Sequence, residues 1–197
     1  MGHHFCNRTI EFTNPTAELV QKLRLFISQF RCVAACGMPG AGKTFFLDTM
    51  YCDHDRITRW NRNDLYRSMF GGFIDHSFTP DIERFESLIF DKLLTKHEHP
   101  IAFEGWLTSR TAREKLLKKF GAWSSLLVVF VGPLDILIPR VMKSNQTVWT
   151  KKEVKVQMRI LEQGFQYPTQ REGWNYIIYL NTCGEDGSEF LMDLLNI

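Results

Sequence analysis

The sequence predicts an α/β fold around a parallel sheet, and three observations carry that prediction. Five short apolar or β-branched runs are spaced along the chain, amphipathic helical patterns fill the gaps between them, and the first run leads straight into a glycine-rich turn. Strands alternating with helices imply βαβ crossovers, which join parallel neighbours. The expected architecture is a three-layer sandwich with a five-stranded parallel sheet and a small helical lid.

The strands are expected at residues 31–36, 56–60, 100–103, 126–131 and 176–180. None alternates polar with apolar, the pattern of strands covered on both faces. Before the first, Leu19, Leu23, Phe26 and Phe30 fall on one helical face, with Val20 and Ile27 beside them, in a stretch opened by Asn14-Pro15. Thr79-Pro80-Asp81 reads as an N-cap followed by proline at the first helical position, after which Ile82, Phe85, Ile89 and Leu93 recur at helical spacing. Residues 109–120 form a charged amphipathic helix closed by Gly121, and residues 151–163 form another. Pro139 falls inside the helical stretch that follows Pro133 and should kink or end it. The 197 residues fit one domain. Residues 1–30 are an N-terminal extension, read as an edge strand and a covering helix, and about 133–165 are the lid region.

Bulk properties exclude several classes. Lys and Arg number 24 against 22 Asp and Glu, a net charge of +2, so the whole molecule is no polycation and any basic surface must be local. The 5 cysteines are odd in number and form no C-x-x-C pair, which argues against a disulfide framework and a structural zinc site. The first ten residues lack a signal-peptide pattern, and the longest apolar run, 126–131, is too short to span a bilayer. The expected location is the cytoplasm.

The chemistry begins at residues 37–44, GMPGAGKT, which match the Walker A pattern with a strand before and a helix after. Glycines at 37, 40 and 42 let the backbone turn successive N–H groups toward phosphates. Lys43 reaches the β- and γ-phosphates, Thr44 offers a hydroxyl to Mg²⁺, and the helix N-terminus adds its partial charge. The nucleotide-binding segment is therefore Gly37, Met38, Pro39, Gly40, Ala41, Gly42, Lys43, Thr44 and Phe45, with ATP and Mg²⁺ as the expected ligands. GTPase landmarks, D-x-x-G and [NT]-K-x-D, are absent. A motor-type acidic strand end is approached only at Ile101-Ala102-Phe103-Glu104. A small kinase remains.

The segment Asn61-Arg62-Asn63-Asp64-Leu65-Tyr66-Arg67, directly after the second expected strand, resembles the N-R-x-D-x-x-R element of phage-type and RNA-repair polynucleotide kinases. The resemblance covers about residues 31–181, and it implies that Asp64 is the general base on the acceptor hydroxyl and that Arg67 binds the acceptor's phosphate or steadies the transferring group. The chemistry agrees: an alcohol is a poor nucleophile near neutral pH and needs a carboxylate to take its proton. A guanidinium three residues on can share that helical turn and fork onto phosphate. The same resemblance puts Glu104 in the family's acidic place after the third strand and makes Arg140 and Lys143 candidates for a lid clamp on the γ-phosphate, against a solvated basic surface.

One departure bears on the acceptor. Where the family has Asp-x-Thr-Asn or Asp-Thr-Asn, this chain has Glu104-Gly105-Trp106-Leu107. Trp106 is a core aromatic or a stacking platform for a base, and Trp60 invites the same two readings. Lys151, Lys152, Lys155 and Arg159 hold a nucleic-acid backbone or face solvent. The functional expectation is transfer of the γ-phosphate of ATP to a hydroxyl on DNA or RNA, most simply a 5′-hydroxyl end, with Lys43, Asp64, Arg67 and Arg140 catalytic and Arg67, Glu104 and Trp106 binding the acceptor. The alternatives are a kinase of 5-hydroxymethyluracil or another hydroxymethylpyrimidine in phage DNA, and an ATP-binding switch module that transfers nothing.

Overall fold

The computed structural model describes residues 4–11, 17–51, 57–62, 64–65, 68, 79–96, 100–105, 107–144 and 150–181. In chain order the strands are β1 (His4–Glu11), β2 (Cys32–Gly37), β3 (Thr58–Asn61), β4 (Ile101–Glu104), β5 (Ser125–Val131) and β6 (Tyr176–Asn181). The helices are α1 (Ala17–Ile27), α2 (Lys43–Tyr51), α3 (Thr79–Lys96), α4 (Arg110–Phe120), α5 (Leu134–Lys143) and α6 (Lys151–Gln163), with one 3₁₀ turn at Gln170–Glu172. All five expected strands are present within two residues of their expected ends. β1 adds a sixth at the edge, the strand foreseen for the N-terminal extension.

The strand order is β1-β6-β5-β2-β4-β3, and every pairing is parallel. β2 sits between β5 and β4, so the chain's direction of travel across the sheet reverses there. In open α/β sheets that reversal leaves a crevice at the carboxyl ends of the strands. The glycine-rich turn opens into it.

Two apolar layers explain why β2 and β5 read as unbroken apolar runs. Val33, Ala35, Leu126, Val128 and Phe130 face a layer with Leu23 of α1, Phe46 and Leu47 of α2, Leu137 of α5 and Val154 of α6. Cys32, Ala34, Cys36, Leu127 and Val129 face a second layer with Phe90 of α3, Leu116 and Phe120 of α4, and Trp174. A strand buried on both faces has no polar positions to alternate with.

The helices follow their local signals with two differences. Ser109 caps α4 by accepting from Ala112 N, and Gly121 closes it at φ +61°. Thr150 and Glu153 form a reciprocal capping box on α6, a device worth about 1 kcal/mol. In α3 the buried line is Ile82, Glu86 and Phe90, while Phe85 is 40% exposed. Ile82 is buried and Leu93 packs on the core as expected, but Phe85 turns outward and Glu86 inward, where its carboxylate accepts from Trp60 and Arg62. Pro139 does not end α5: the helix runs on to Lys143, with Pro139 on its exposed side. Among the described residues no helix is long and apolar enough to cross a membrane.

Candidate functional site

The cradle forms because only glycine fits two of its positions. A Cβ on Gly37 would stand 2.7 Å from the Phe130 carbonyl oxygen, and one on Gly40 would stand 2.8 Å from the Leu137 carbonyl oxygen. Both also have positive φ, +152° and +76°. The Gly40 approach has a second meaning, since the same point lies 3.4 Å from Arg140 Cβ and 3.1 Å from Val141 Cγ2. The backbone of α5 therefore rests directly on the turn, and Arg140 stands beside it.

Lys43 is 8% exposed, and its Nζ donates to the carbonyls of Gly37 and Met38 at 2.9 Å each. Burial holds its ammonium below the usual lysine range, with the Glu104 carboxylate pulling the other way. Met38 and Ala41 are buried under the turn, Pro39 and Gly42 are half-buried, and Thr44 and Phe45 face outward. Phe45 is 52% exposed.

Glu104 joins the cradle to the rest of the crevice. It ends β4, is 6% exposed, and pairs in register with Ala35 on one side and Asn61 on the other. Its Oε1 accepts from the Thr44 hydroxyl at 2.5 Å, and its Oε2 accepts from Asn61 Nδ2 at 3.0 Å. Arg59 Nη2 lies 3.9 Å from Oε2, and Arg59 also pairs with Asp48 of α2. From the end of β4, one carboxylate thus bridges the start of α2 and the end of β3.

The segment leaving β3 is braced by a second acid. Glu86 of α3 is 4% exposed; its Oε1 accepts from Trp60 Nε1 at 3.1 Å and from Arg62 Nε at 3.0 Å, and Oε2 accepts from Arg62 Nη2. Trp60 also meets Phe90 edge-on at 5.7 Å between ring centroids, so it is packed into the protein, the first of its two expected readings. Asp64, two residues beyond Arg62, is helical and exposed, and its carbonyl accepts from the Ser68 hydroxyl at 2.8 Å. Arg67 and Trp106 lie outside the described residues.

The residues present fit a nucleotide with a divalent cation. Glycines that a Cβ would block line the turn, an amine is buried at its base, and a hydroxyl and a carboxylate stand together at its exit. Among the described residues no three His, Cys, Asp or Glu cluster to hold a metal unaided. The Thr44 hydroxyl beside the Glu104 carboxylate suits Mg²⁺, which takes one or two protein oxygens and completes its shell with phosphates and water.

Sequence reasoning missed three partners. Asn61 was noted only as part of a motif, Glu86 was given no role, and Arg113 and Glu172, each matched to a pattern of the resembling family, were not paired with each other. The last had a signal: Arg113, Leu116 and Phe120 share one helical face, and a charge on an apolar stripe requires a partner.

No protein-family model matches the sequence, and no curated protein matches it either. Solved structures do. A chain of the Pnkp1/Rnl/Hen1 RNA repair complex superposes with a TM-score of 0.54 at 18% identity over 69% of this chain. This protein spans only 46% of that chain's length. A gluconokinase from Sinorhizobium meliloti has a TM-score of 0.50 at 14% identity, covering 83% of this chain and 89% of that one. A shikimate kinase from Bacteroides thetaiotaomicron has a TM-score of 0.50 at 14% identity, with 84% and 98% covered. With its central β2, its glycine cradle and these neighbours, the chain has the α/β fold of P-loop kinases.

Proposed function

We propose that this protein is an ATP-dependent kinase that moves the γ-phosphate of ATP to a hydroxyl of a polynucleotide, most simply a 5′-hydroxyl end. The observation that carries the reading is the hydrogen-bonded line Thr44–Glu104–Asn61, which runs from the phosphate cradle to the strand end from which Asp64 follows. The RNA repair complex among the similar structures supports a polynucleotide acceptor, whereas the fold itself, shared with a gluconokinase and a shikimate kinase, leaves the acceptor open.

In this reading the backbone of residues 37–45 and the Lys43 ammonium bind and orient the triphosphate. The Thr44 hydroxyl, with Glu104 beside it, would hold Mg²⁺, which would supply charge neutralisation to the transferring phosphate. Asp64 takes the proton of the acceptor hydroxyl as its oxygen forms a bond to the γ-phosphorus and the bond to the β,γ-bridging oxygen breaks. Arg67 binds the acceptor's phosphate. Arg140, beside Gly40, closes over the γ-phosphate from the α5–α6 lid.

The deciding experiment offers γ-labelled ATP with 5′-hydroxyl DNA and RNA oligonucleotides, end-blocked DNA carrying hydroxymethyluracil, and free nucleosides. Label at 5′ ends is the expected result. Label only on the modified base moves the acceptor, and nucleotide binding with no transfer to any acceptor leaves the switch module.

A further inference from the structure

The loop that follows β4 and the segment that follows α6 are tied into one rim. Gln166 N donates to Thr108 O at 2.9 Å, and Arg110 N donates to Gln166 Oε1 at 2.8 Å. The loop side is itself fixed. Among the described residues Leu107 is the one non-glycine position with positive φ, at +44°, and its carbonyl accepts from Arg113 Nη1 at 2.9 Å and from Cys36 Sγ at 3.2 Å. Arg113 forks through Nε and Nη2 onto the two oxygens of Glu172 at 2.7 Å each, and Glu172 accepts from Thr169 N at 3.3 Å.

Tyr167 stands on that rim between two anchors. Phe165 packs against both apolar layers, and Pro168 is buried, its carbonyl accepting from the Tyr179 hydroxyl at 3.3 Å. A proline also restricts the residue before it to extended backbone, which leaves Tyr167 little local freedom. Its ring meets that of Phe165 at 5.0 Å between centroids and 66° between planes, yet Tyr167 is 64% exposed. An aromatic ring held in one place and left in water gains little from burial. What it offers is a flat apolar surface to another flat ring.

The rim lies on the acceptor side of the crevice. Phe46 of α2 and Leu137 of α5, which carry the cradle, pack on one face of the sheet, whereas Leu107 and Tyr179 pack on the other. Four residues separate Glu104 from Thr108, a reach of at most about 14 Å. The rim therefore stands close to the carboxylate that joins the cradle to Asn61.

We propose that Tyr167 is a stacking platform for a base of the acceptor, and so the residue by which this protein selects a base-bearing hydroxyl over an aliphatic one. The inference rests on the polynucleotide kinase reading and adds the group that recognises the base. Such stacking tolerates any sequence, because every base has a π-face.

Two variants and two acceptors test it. Tyr167→Ala removes the ring, and Tyr167→Phe keeps the ring without its hydroxyl. Each is assayed with γ-labelled ATP on a 5′-hydroxyl oligonucleotide with ordinary bases and on one whose 5′-terminal nucleotides are abasic. On the ordinary acceptor Tyr167→Ala raises KM about tenfold while nucleotide Kd holds, and Tyr167→Phe restores KM. On the abasic acceptor the wild-type chain already shows the raised KM, and Tyr167→Ala adds nothing, since a stack is lost once when either ring is removed. An equal rise on both acceptors, or a rise on neither, overturns the inference and leaves the kinase reading intact. So does a loss in Tyr167→Phe as large as in Tyr167→Ala, which assigns the effect to the hydroxyl. A weakened nucleotide Kd with acceptor KM kept also overturns it, by placing the base of ATP on the ring. Failure of the wild-type chain to transfer phosphate to any oligonucleotide overturns the polynucleotide kinase reading and this inference together.

Discussion

The two halves of the crevice are built by opposite means. On the phosphate side the parts are neighbours in sequence: Lys43 bonds carbonyls five and six residues back, and one turn supplies backbone, amine and hydroxyl. On the other side the main braces are long-range. Arg62 reaches Glu86 across 24 residues, Asn61 reaches Glu104 across 43, Arg113 reaches Glu172 across 59, and Cys36 reaches Leu107 across 71. A cradle made from one segment can be carried intact into many proteins. A framework drawn from six elements, β2, β3, β4, α3, α4 and the 3₁₀ turn, can be altered at any of them.

This contrast can be broken or sharpened by substitution. Asp64→Ala has the largest expected effect, lowering kcat by roughly 10²–10⁴ in a single-turnover assay while nucleotide Kd holds. A parallel loss of nucleotide binding would merge the two halves and defeat the comparison. Lys43→Ala acts on the other half and weakens ATP binding about 100-fold by equilibrium titration, with acceptor binding kept. Glu104→Gln lies on the seam, and it should raise the Mg²⁺ concentration for half-maximal rate about tenfold, read from a Mg²⁺ titration at saturating ATP.

Two smaller effects concern the framework. Glu86→Leu leaves Trp60 Nε1 and Arg62 without their shared acceptor and should cost about 1–3 kcal/mol in urea unfolding. Because Glu86 braces only the acceptor half, nucleotide Kd should not move. Cys36 should show no effect at all: burial pushes its thiol up to about 12, so peptide mapping of native protein treated with iodoacetamide at pH 8 should find Cys36 unlabelled, and labelled only in denaturant. Labelling in the native state would mean that the turn at Leu107 opens.

What could be read in the sequence follows the same division. β2, β4 and β5 were legible because burial on both faces leaves unbroken apolar runs, β3 only as a short β-branched run at the sheet edge, and the cradle because its chemistry is contiguous. α3 was misread at one position: Ile82 and Leu93 pack inward as expected, but Phe85 is apolar yet exposed while Glu86 is acidic yet buried. Hydrophobicity cannot report a carboxylate held inside by Trp60 and Arg62. Pro139 was expected to interrupt α5, and the helix runs past it with the ring on the exposed side. Arg113 was visible as a charge on an apolar stripe, but nothing in the sequence named Glu172 as its partner.

β1 has a consequence for how the protein behaves as a material. By pairing with β6 it takes up the hydrogen-bonding groups along one margin of the sheet. A version shortened to begin after residue 11 would bare the edge of β6, a parallel strand rich in Ile, Leu and Tyr. Such an edge recruits any extended chain that meets it, so the shortened protein should lose solubility and self-associate in light scattering long before its catalytic parts are disturbed.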